Sequence, residues 1–170
     1  TVVLPHPAAA QDSGPLVLVL TADGTVAPAM AEYISRGIRT AGQREAEMLI
    51  LQLNTPGGYL RSTELITQAI LNSSVPVVVY VTPRGAIAAS AGTIILLSGH
   101  VAAMAPESAT GAASPIDAQG EDLETTAQAK EKNFLKAQVR AFAGRRGEEV
   151  VALAEETIDY ARAITVNEAL

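Results

Sequence analysis

Met48-Leu-Ile-Leu-Gln-Leu-Asn-Thr-Pro-Gly-Gly58 decides the fold. Its first half is a short apolar run, and its second half is built from residues that turn chains. Together they predict a buried strand ending in a turn, because a strand covered on both faces needs no polar alternation. Leu16–Thr21 (LVLVLT) and Val75–Val81 (VPVVVYV) read the same way. Between the first two runs, residues 28–43 place Ala31, Ile34, Ile38 and Ala41 on one helical face. Between the second and third, a helix over about Tyr59–Leu71 presents Leu65, Ile66, Ala69 and Ile70 as its core stripe. Strand, helix, strand, helix, strand predicts βαβ units, hence an α/β fold with a largely parallel sheet covered on both faces. Sites in such sheets lie at the carboxyl ends of strands, here Asn54–Gly58 and Thr82–Gly85.

Further on, Ala86–Leu97 reads as a short helix and Val101–Ala105 as a short strand. Glu107–Glu121, rich in Ala, Ser, Thr and Gly, reads as a loop or flap. About Glu124–Phe142 and Glu148–Thr157 are helical, and Asn167–Leu170 begins another helix. Residues 1–14 read as an arm. There, Ala8-Ala9-Ala10 before Gln11 fits the end of a secretory signal and equally a Pro/Ala-rich tail. A chain that opens without methionine and closes inside a helix is expected to be part of a longer protein, with residues 15–170 as one domain.

Composition removes several classes of function. With 48% hydrophobic but only 4% aromatic residues in 170, the core must be built from Val, Leu, Ile and Ala. A net charge of −6 argues against nucleic-acid binding, which needs a basic face. The absence of cysteine excludes disulfides, thiol nucleophiles and thiolate metal sites. The two histidines, His6 and His100, stand far apart in sequence, so no multi-histidine metal site is expected. No cofactor is expected either. No run reaches the roughly 18–20 apolar residues that span a bilayer.

Ser90 lies in Gly85-Ala-Ile-Ala-Ala-Ser-Ala-Gly-Thr93, after a strand and at a helix start. Small neighbours let a substrate backbone approach, and a helix N-terminus offers unpaired N–H groups to a developing oxyanion. The same composition also suits a helix packed tightly on the sheet, the commoner use of such residues. Gly57-Gly58 admits positive φ and free N–H groups, as half of an oxyanion hole or simply as a tight turn. A serine nucleophile needs a base. His6 is in the arm. His100 lies ten residues (100 − 90) beyond Ser90, about 15 Å away by helical rise, and reads as an exposed turn residue. Lysine remains. Lys132, Lys136 and Arg140 recur at helical spacing as a solvated basic stripe, whereas Lys130 shares its face with Phe134, Ala137 and Ala141, read as the apolar side. A lone lysine there either snorkels outward or is held for its chemistry.

Taken in order, Leu51-Gln-Leu-Asn-Thr-Pro-Gly-Gly58, Pro76-Val-Val-Val-Tyr-Val81, Gly85–Gly92, Ala103-Met-Ala-Pro106 and Gly111-Ala112 resemble the Clp-protease superfamily. Within it they are most similar to the NfeD membrane-associated proteases, over about Leu16–Leu170. The resemblance implies a ClpP/crotonase-like stack of βαβ units and a serine endopeptidase with a serine–lysine dyad. It implies Ser90 as nucleophile, Lys130 as general base (followed by Asn133 and Phe134 as in the family), and the N–H groups of Gly58 and Ala91 as the oxyanion hole. Asn54, Thr55 and Gly57 are expected to shape the substrate groove. The histidine motif of the cytosolic Clp peptidase is replaced by Ala113-Ser114-Pro115, which favours the dyad. The implied partner is a peptide or protein with an apolar segment, such as a stomatin-like membrane protein. A homodimer or larger homo-oligomer is implied too, with membrane attachment through segments outside this chain and the domain on the extracytoplasmic side. The rival readings are a signal peptide peptidase A-type protease, a crotonase-type acyl-CoA enzyme and a non-catalytic scaffold.

Overall fold

The computed structural model describes residues 14–115 and 125–169. The chain runs β1 (Val17–Asp23), α1 (Pro28–Gln43), β2 (Met48–Asn54), α2 (Leu60–Leu71), β3 (Val77–Val81), β4 (Ile87–Ala89), α3 (Ala91–Ser98), β5 (Val101–Met104), β6 (Ala109–Gly111), α4 (Thr125–Ala143), α5 (Glu148–Asp159), β7 (Ala163–Thr165) and α6 (Val166–Ala169). A four-stranded parallel sheet has the order β1-β2-β3-β5, and a three-stranded sheet the order β4-β6-β7. In the smaller sheet β4 and β6 are parallel while β6 and β7 are antiparallel.

The apolar strands alternate in burial, with Leu49, Leu51, Leu53, Val77, Val79 and Val81 fully buried on one face. Helix α1 packs on that face through Ala31, Ile34, Ile38 and Ala41, as the spacing predicts. Pro28 opens it, its fixed φ suiting the first helical turn. The approach is close: a Cβ on Gly37 would sit 2.3 Å from Leu20 Cδ1. In α2 the core stripe differs from the expected one. Ile66 and Ile70 are buried, but Leu65 is 41% exposed, and Ser62, Thr63 and Thr67 are buried instead. Helix α2 is wedged between α1 and α3, where short side chains permit close contact. Thr63 and Thr67 satisfy their hydroxyls on the carbonyls of Tyr59 and Glu64.

Two further expectations need correction. Among the described residues the large sheet is covered on one face, not both. On the other face Val17, Val19 and Val101 are exposed, Val19 by 54%, and Met48, Ile50, Gln52, Val78, Tyr80 and Ala103 are half-buried. A continuous apolar run looks alike whether its second face meets a helix or solvent. In α4 the buried side is Leu135, Val139 and Ala143, which joins Ile94, Leu97, Ala113, Ala154 and Ile158 in a second core. The side read as apolar faces outward: Lys130, Ala137 and Ala141 are exposed, and Phe134 is 52% exposed. Nor is the basic stripe simply solvated, because it lies along α5. Lys136 Nζ meets Asp159 Oδ2 at 2.6 Å, Arg140 pairs with Glu155, and Lys132 Nζ reaches the Asp159 carbonyl at 3.4 Å.

After α4, a 3-10 turn at Gly144–Arg146 turns two guanidinium groups back onto α3. Arg146 donates to the carbonyls of Leu97 and Gly99 at 2.7 Å, and Arg145 to those of Ser98 and Gly99. Cations at a helix carboxyl end satisfy orphan carbonyls and complement the dipole.

Candidate active site

Ser90 does not sit within a helix beginning at Ala86, as the sequence suggested. It forms the single-residue corner between β4 and α3, with φ 53° and ψ −116°. Such a conformation costs a non-glycine residue about 1–3 kcal/mol and persists only where its surroundings enforce it. Here the surroundings do so by hydrogen bonds on both sides. The Ser90 N–H donates to Gly111 O at 2.8 Å, and the Ser90 carbonyl accepts the Thr93 N–H at 2.9 Å. The hydroxyl does not cap α3. The corner thus presents Oγ at the amino end of a helix whose eight residues are all buried.

The turn after β2 lies alongside. Thr55 is fully buried, and its hydroxyl accepts the Gly57 N–H at 3.1 Å, so it builds the turn. Its backbone bridges to β4, with Thr55 N–H donating to Ile87 O at 2.7 Å and Ala89 N–H to Thr55 O at 3.0 Å. Asn54 spans the strand ends: Nδ2 donates to Asp23 Oδ1 and Oδ1 accepts the Ile87 N–H, both at 3.1 Å. Gly57 has φ +116°, and a Cβ there would lie 2.8 Å from Ser90 Cβ. At Gly58 a Cβ would lie 2.4 Å from Val26 O, the closeness of a bridge in which Val26 N–H reaches Gly57 O. Among the described residues, the N–H groups of Gly58 and Ala91 have no hydrogen-bond partner. Both residues line the same cleft as Ser90.

One residue of the site carried no role in the sequence reading. The buried Thr93 hydroxyl lies 2.9 Å from Gly111 O, 2.9 Å from Gly111 N and 3.0 Å from Ala88 O. It fastens β4, β6 and α3 beneath Ser90. Threonine inside a short apolar helix was the available signal, since a buried hydroxyl must find partners. Strand β6 itself lies in the segment read as a loop. Its three small residues show no periodicity, and its structure comes from pairing with β4 and β7.

The cleft holds roughly 320 Å³, with apolar walls from Leu60, Ile94, Ala113, Pro115 and Leu135. Among the described residues its one titratable side chain is Glu131. Lys130 is exposed one position earlier on α4 and does not line the cleft, so Ser90, Gly58 and Ala91 come together and Lys130 stays apart. Residues 116–121 of the expected flap lie outside the described residues. His100 is exposed after α3, as expected, and its Nδ1 accepts the Val77 N–H at 3.1 Å. Burial, and then Arg145, lower its pKa from the ordinary 6.5.

Comparison with known proteins agrees with this architecture. The family model for the NfeD1b N-terminal domain matches residues 16–169. Membrane-bound protease PH1510 of Pyrococcus horikoshii is 37% identical over 158 residues, which is 91% of this chain and 35% of that protein. The chain therefore spans about a third of the length of that curated relative. Two structures of the 1510-N membrane-bound stomatin-specific protease superpose closely. One is a serine-to-alanine mutant, with TM-score 0.81 and 35% identity, covering 92% of this chain and 75% of that one. The other is a lysine-to-alanine mutant in complex with a substrate peptide, with TM-score 0.83 and 34% identity, covering 93% and 72%. ClpP1 from Listeria monocytogenes shares the fold at TM-score 0.71 and 18% identity, over 89% of this chain and 84% of its own. The chain belongs to the NfeD1b N-terminal-domain family and has the ClpP-like protease fold.

Proposed function

We propose that residues 15–170 form a serine endopeptidase domain with Ser90 as nucleophile, Lys130 as general base, and the N–H groups of Gly58 and Ala91 as the oxyanion hole. The observation that carries this reading is the Ser90 corner: a strained backbone and, among the described residues, an uncommitted hydroxyl and two unpartnered N–H groups on one cleft. Neutral Lys130 takes the Ser90 Oγ proton as Oγ bonds to the scissile carbonyl carbon. The carbonyl oxygen, now negative, is held by the two N–H groups, each worth about 3 kcal/mol in the transition state. The C–N bond breaks as protonated Lys130 gives its proton to the leaving amine, and water then hydrolyses the acyl-enzyme. In this reading the first turns of α4 shift when peptide binds and carry Lys130 into the cleft. The lysine-to-alanine relative crystallised with a substrate peptide supports that assignment.

The apolar cleft walls suit a substrate with an apolar segment. A stomatin-like membrane protein is our candidate, by likeness to the stomatin-specific relative. Attachment to the membrane would come from outside the described residues, none of whose helices is long and apolar enough to cross it.

Cleavage of a peptide bearing an apolar run by wild type, Ser90→Ala, Lys130→Ala and Glu131→Gln tests the assignment. Both Ser90→Ala and Lys130→Ala are expected to be folded and inactive, with Glu131→Gln retaining activity. Full activity in Ser90→Ala ends the reading. Loss in Glu131→Gln with activity kept in Lys130→Ala transfers the base role to the carboxylate that lines the cleft.

A further inference from the structure

We infer that a second cavity, across α3 from the Ser90 cleft, is a binding site for a medium-chain aliphatic carboxylate. The inference stands apart from the roles proposed for Ser90 and Lys130. Helix α3 separates the two spaces: Ala91 and Ile94 line the cleft, whereas Thr93, Leu96 and Leu97 line the cavity. The other walls come from β5, β6, α5, β7, α6 and Arg146, with Ala102 and Ala169 exposed at the rim. The cavity holds about 190 Å³. An apolar cavity of about 150 Å³ takes up benzene, so there is room here for a chain of about six to eight carbons. Apart from Arg146, the only polar side chains of the wall are three threonines. The Thr93 and Thr110 hydroxyls donate to Ala88 O at 3.0 and 2.8 Å, and that of Thr157 to Ala154 O at 2.7 Å. With those hydroxyls committed, a peptide group in the cavity would be buried without partners, whereas a hydrocarbon chain needs none.

Charge selects the head group. Arg146 Nη1 donates to Leu97 O at 2.7 Å and Phe142 O at 3.0 Å, and Nη2 to Gly99 O at 2.7 Å. Arg145 lies beside it, on the Ser98 and Gly99 carbonyls. Among the described residues neither guanidinium pairs with a carboxylate, in a chain of net charge −6. Burial, and then Arg145, lower the Arg146 pKa, so an anion placed here relieves an existing cost. Carbonyls already engage both Nη atoms, which leaves few N–H groups and suits a singly charged carboxylate better than a phosphate.

The test is nuclear magnetic resonance of the full chain, isotope-labelled at its methionine methyl groups, with octanoate as the probe. Met104 lines the cavity, while Met30 and Met48 do not. Octanoate is expected to shift the Met104 signal saturably and to leave the other two in place. Exchange of the Gly111 amide, which donates to Thr93 Oγ1 beneath Ser90, is expected to slow in its presence. Octylammonium, the same chain with the opposite charge, is expected to bind about tenfold more weakly or worse, the worth of a charge-assisted hydrogen bond. Arg146→Met is expected to lose that preference, and Leu153→Trp, which fills the cavity, to lose octanoate binding altogether. Thermal unfolding checks that both variants fold, and the octylammonium comparison needs neither. A Met104 signal unmoved through the millimolar range overturns the inference. So does equal binding of octylammonium and octanoate by wild type, or octanoate binding that Leu153→Trp leaves intact. Tighter binding of N-acetyl-leucine than of octanoate would overturn the choice of ligand and make the carboxyl end of a peptide the occupant.

Discussion

The Ser90 amide and the Thr93 hydroxyl meet at one atom, the carbonyl oxygen of Gly111, at 2.8 and 2.9 Å. That shared acceptor links the corner bearing Ser90, the proposed nucleophile, to β6. Thr93→Val keeps the shape and removes the hydroxyl, leaving the Gly111 N–H without its partner. A loss of about 1–3 kcal/mol is expected in urea unfolding, the cost of a buried unsatisfied group. Cleavage should lose kcat more than KM, and Thr93→Ser should recover both. A Thr93→Val protein as stable as wild type would remove the hydroxyl from this role.

Gly57→Ala should damage catalysis more than folding. The new methyl group would press on Ser90 Cβ from 2.8 Å and on Ala89 O from 3.2 Å, at φ +116°. Displacing a reacting group by ångströms costs about 100-fold in rate. Gly85→Ala is the matched control: its φ is +77° but nothing lies within 4 Å of the added Cβ. It is expected to share the strain and keep the activity, as peptide-cleavage assays of both variants would register.

His100 predicts a pH dependence of stability unrelated to catalysis. Its pKa is held below 6.5 by burial and by Arg145, so the unfolded chain takes up the proton first. Stability is therefore full above 6.5 and falls as pH drops below it, until the folded imidazole is itself protonated. Protonation at Nδ1 also ends acceptance from the Val77 N–H. Denaturant unfolding should lose stability through that range in wild type and flatten in His100→Asn. Exchange of the Val77 amide should quicken over the same range.

At the far end of the chain Glu168 behaves oppositely. Hydrogen bonds from the Thr165 N–H and hydroxyl, then from Arg162, lower its pKa from 4.5 to about 2. A depressed carboxyl stabilises the fold above its unfolded value and loses that contribution as pH falls from 4.5 through about 2. Amide exchange at Thr165 is expected to quicken across that range, and already at neutral pH in Glu168→Gln.

Long apolar runs and helical spacing made β1, β2, β3 and α1 legible, down to Ala31, Ile34, Ile38 and Ala41. What escaped reading depends on neighbours distant in sequence. Strands β4, β6 and β7 are three residues each, without periodicity, and exist through mutual pairing. Helix α4 offers two stripes, Lys130-Phe134-Ala137-Ala141 and Leu135-Val139-Ala143, and only the packing of α3 and α5 selects the second. Ser90 and Gly58 were legible as motifs, yet the positive φ that exposes Ser90 arises from Gly111 and Thr93, about twenty residues apart in sequence.

The route by which that corner is secured bears on synthesis. Its partner β6 is held in turn by β7, with Arg162 O accepting the Ala112 N–H at 2.9 Å and leaving no room for a Cβ on Gly111. On the ribosome, Ser90 emerges long before Ala163–Thr165 exist to brace it. Contacts of such sequence separation form late, because loop closure comes before their reward. A nascent chain would thus carry its serine unset until the domain is nearly made.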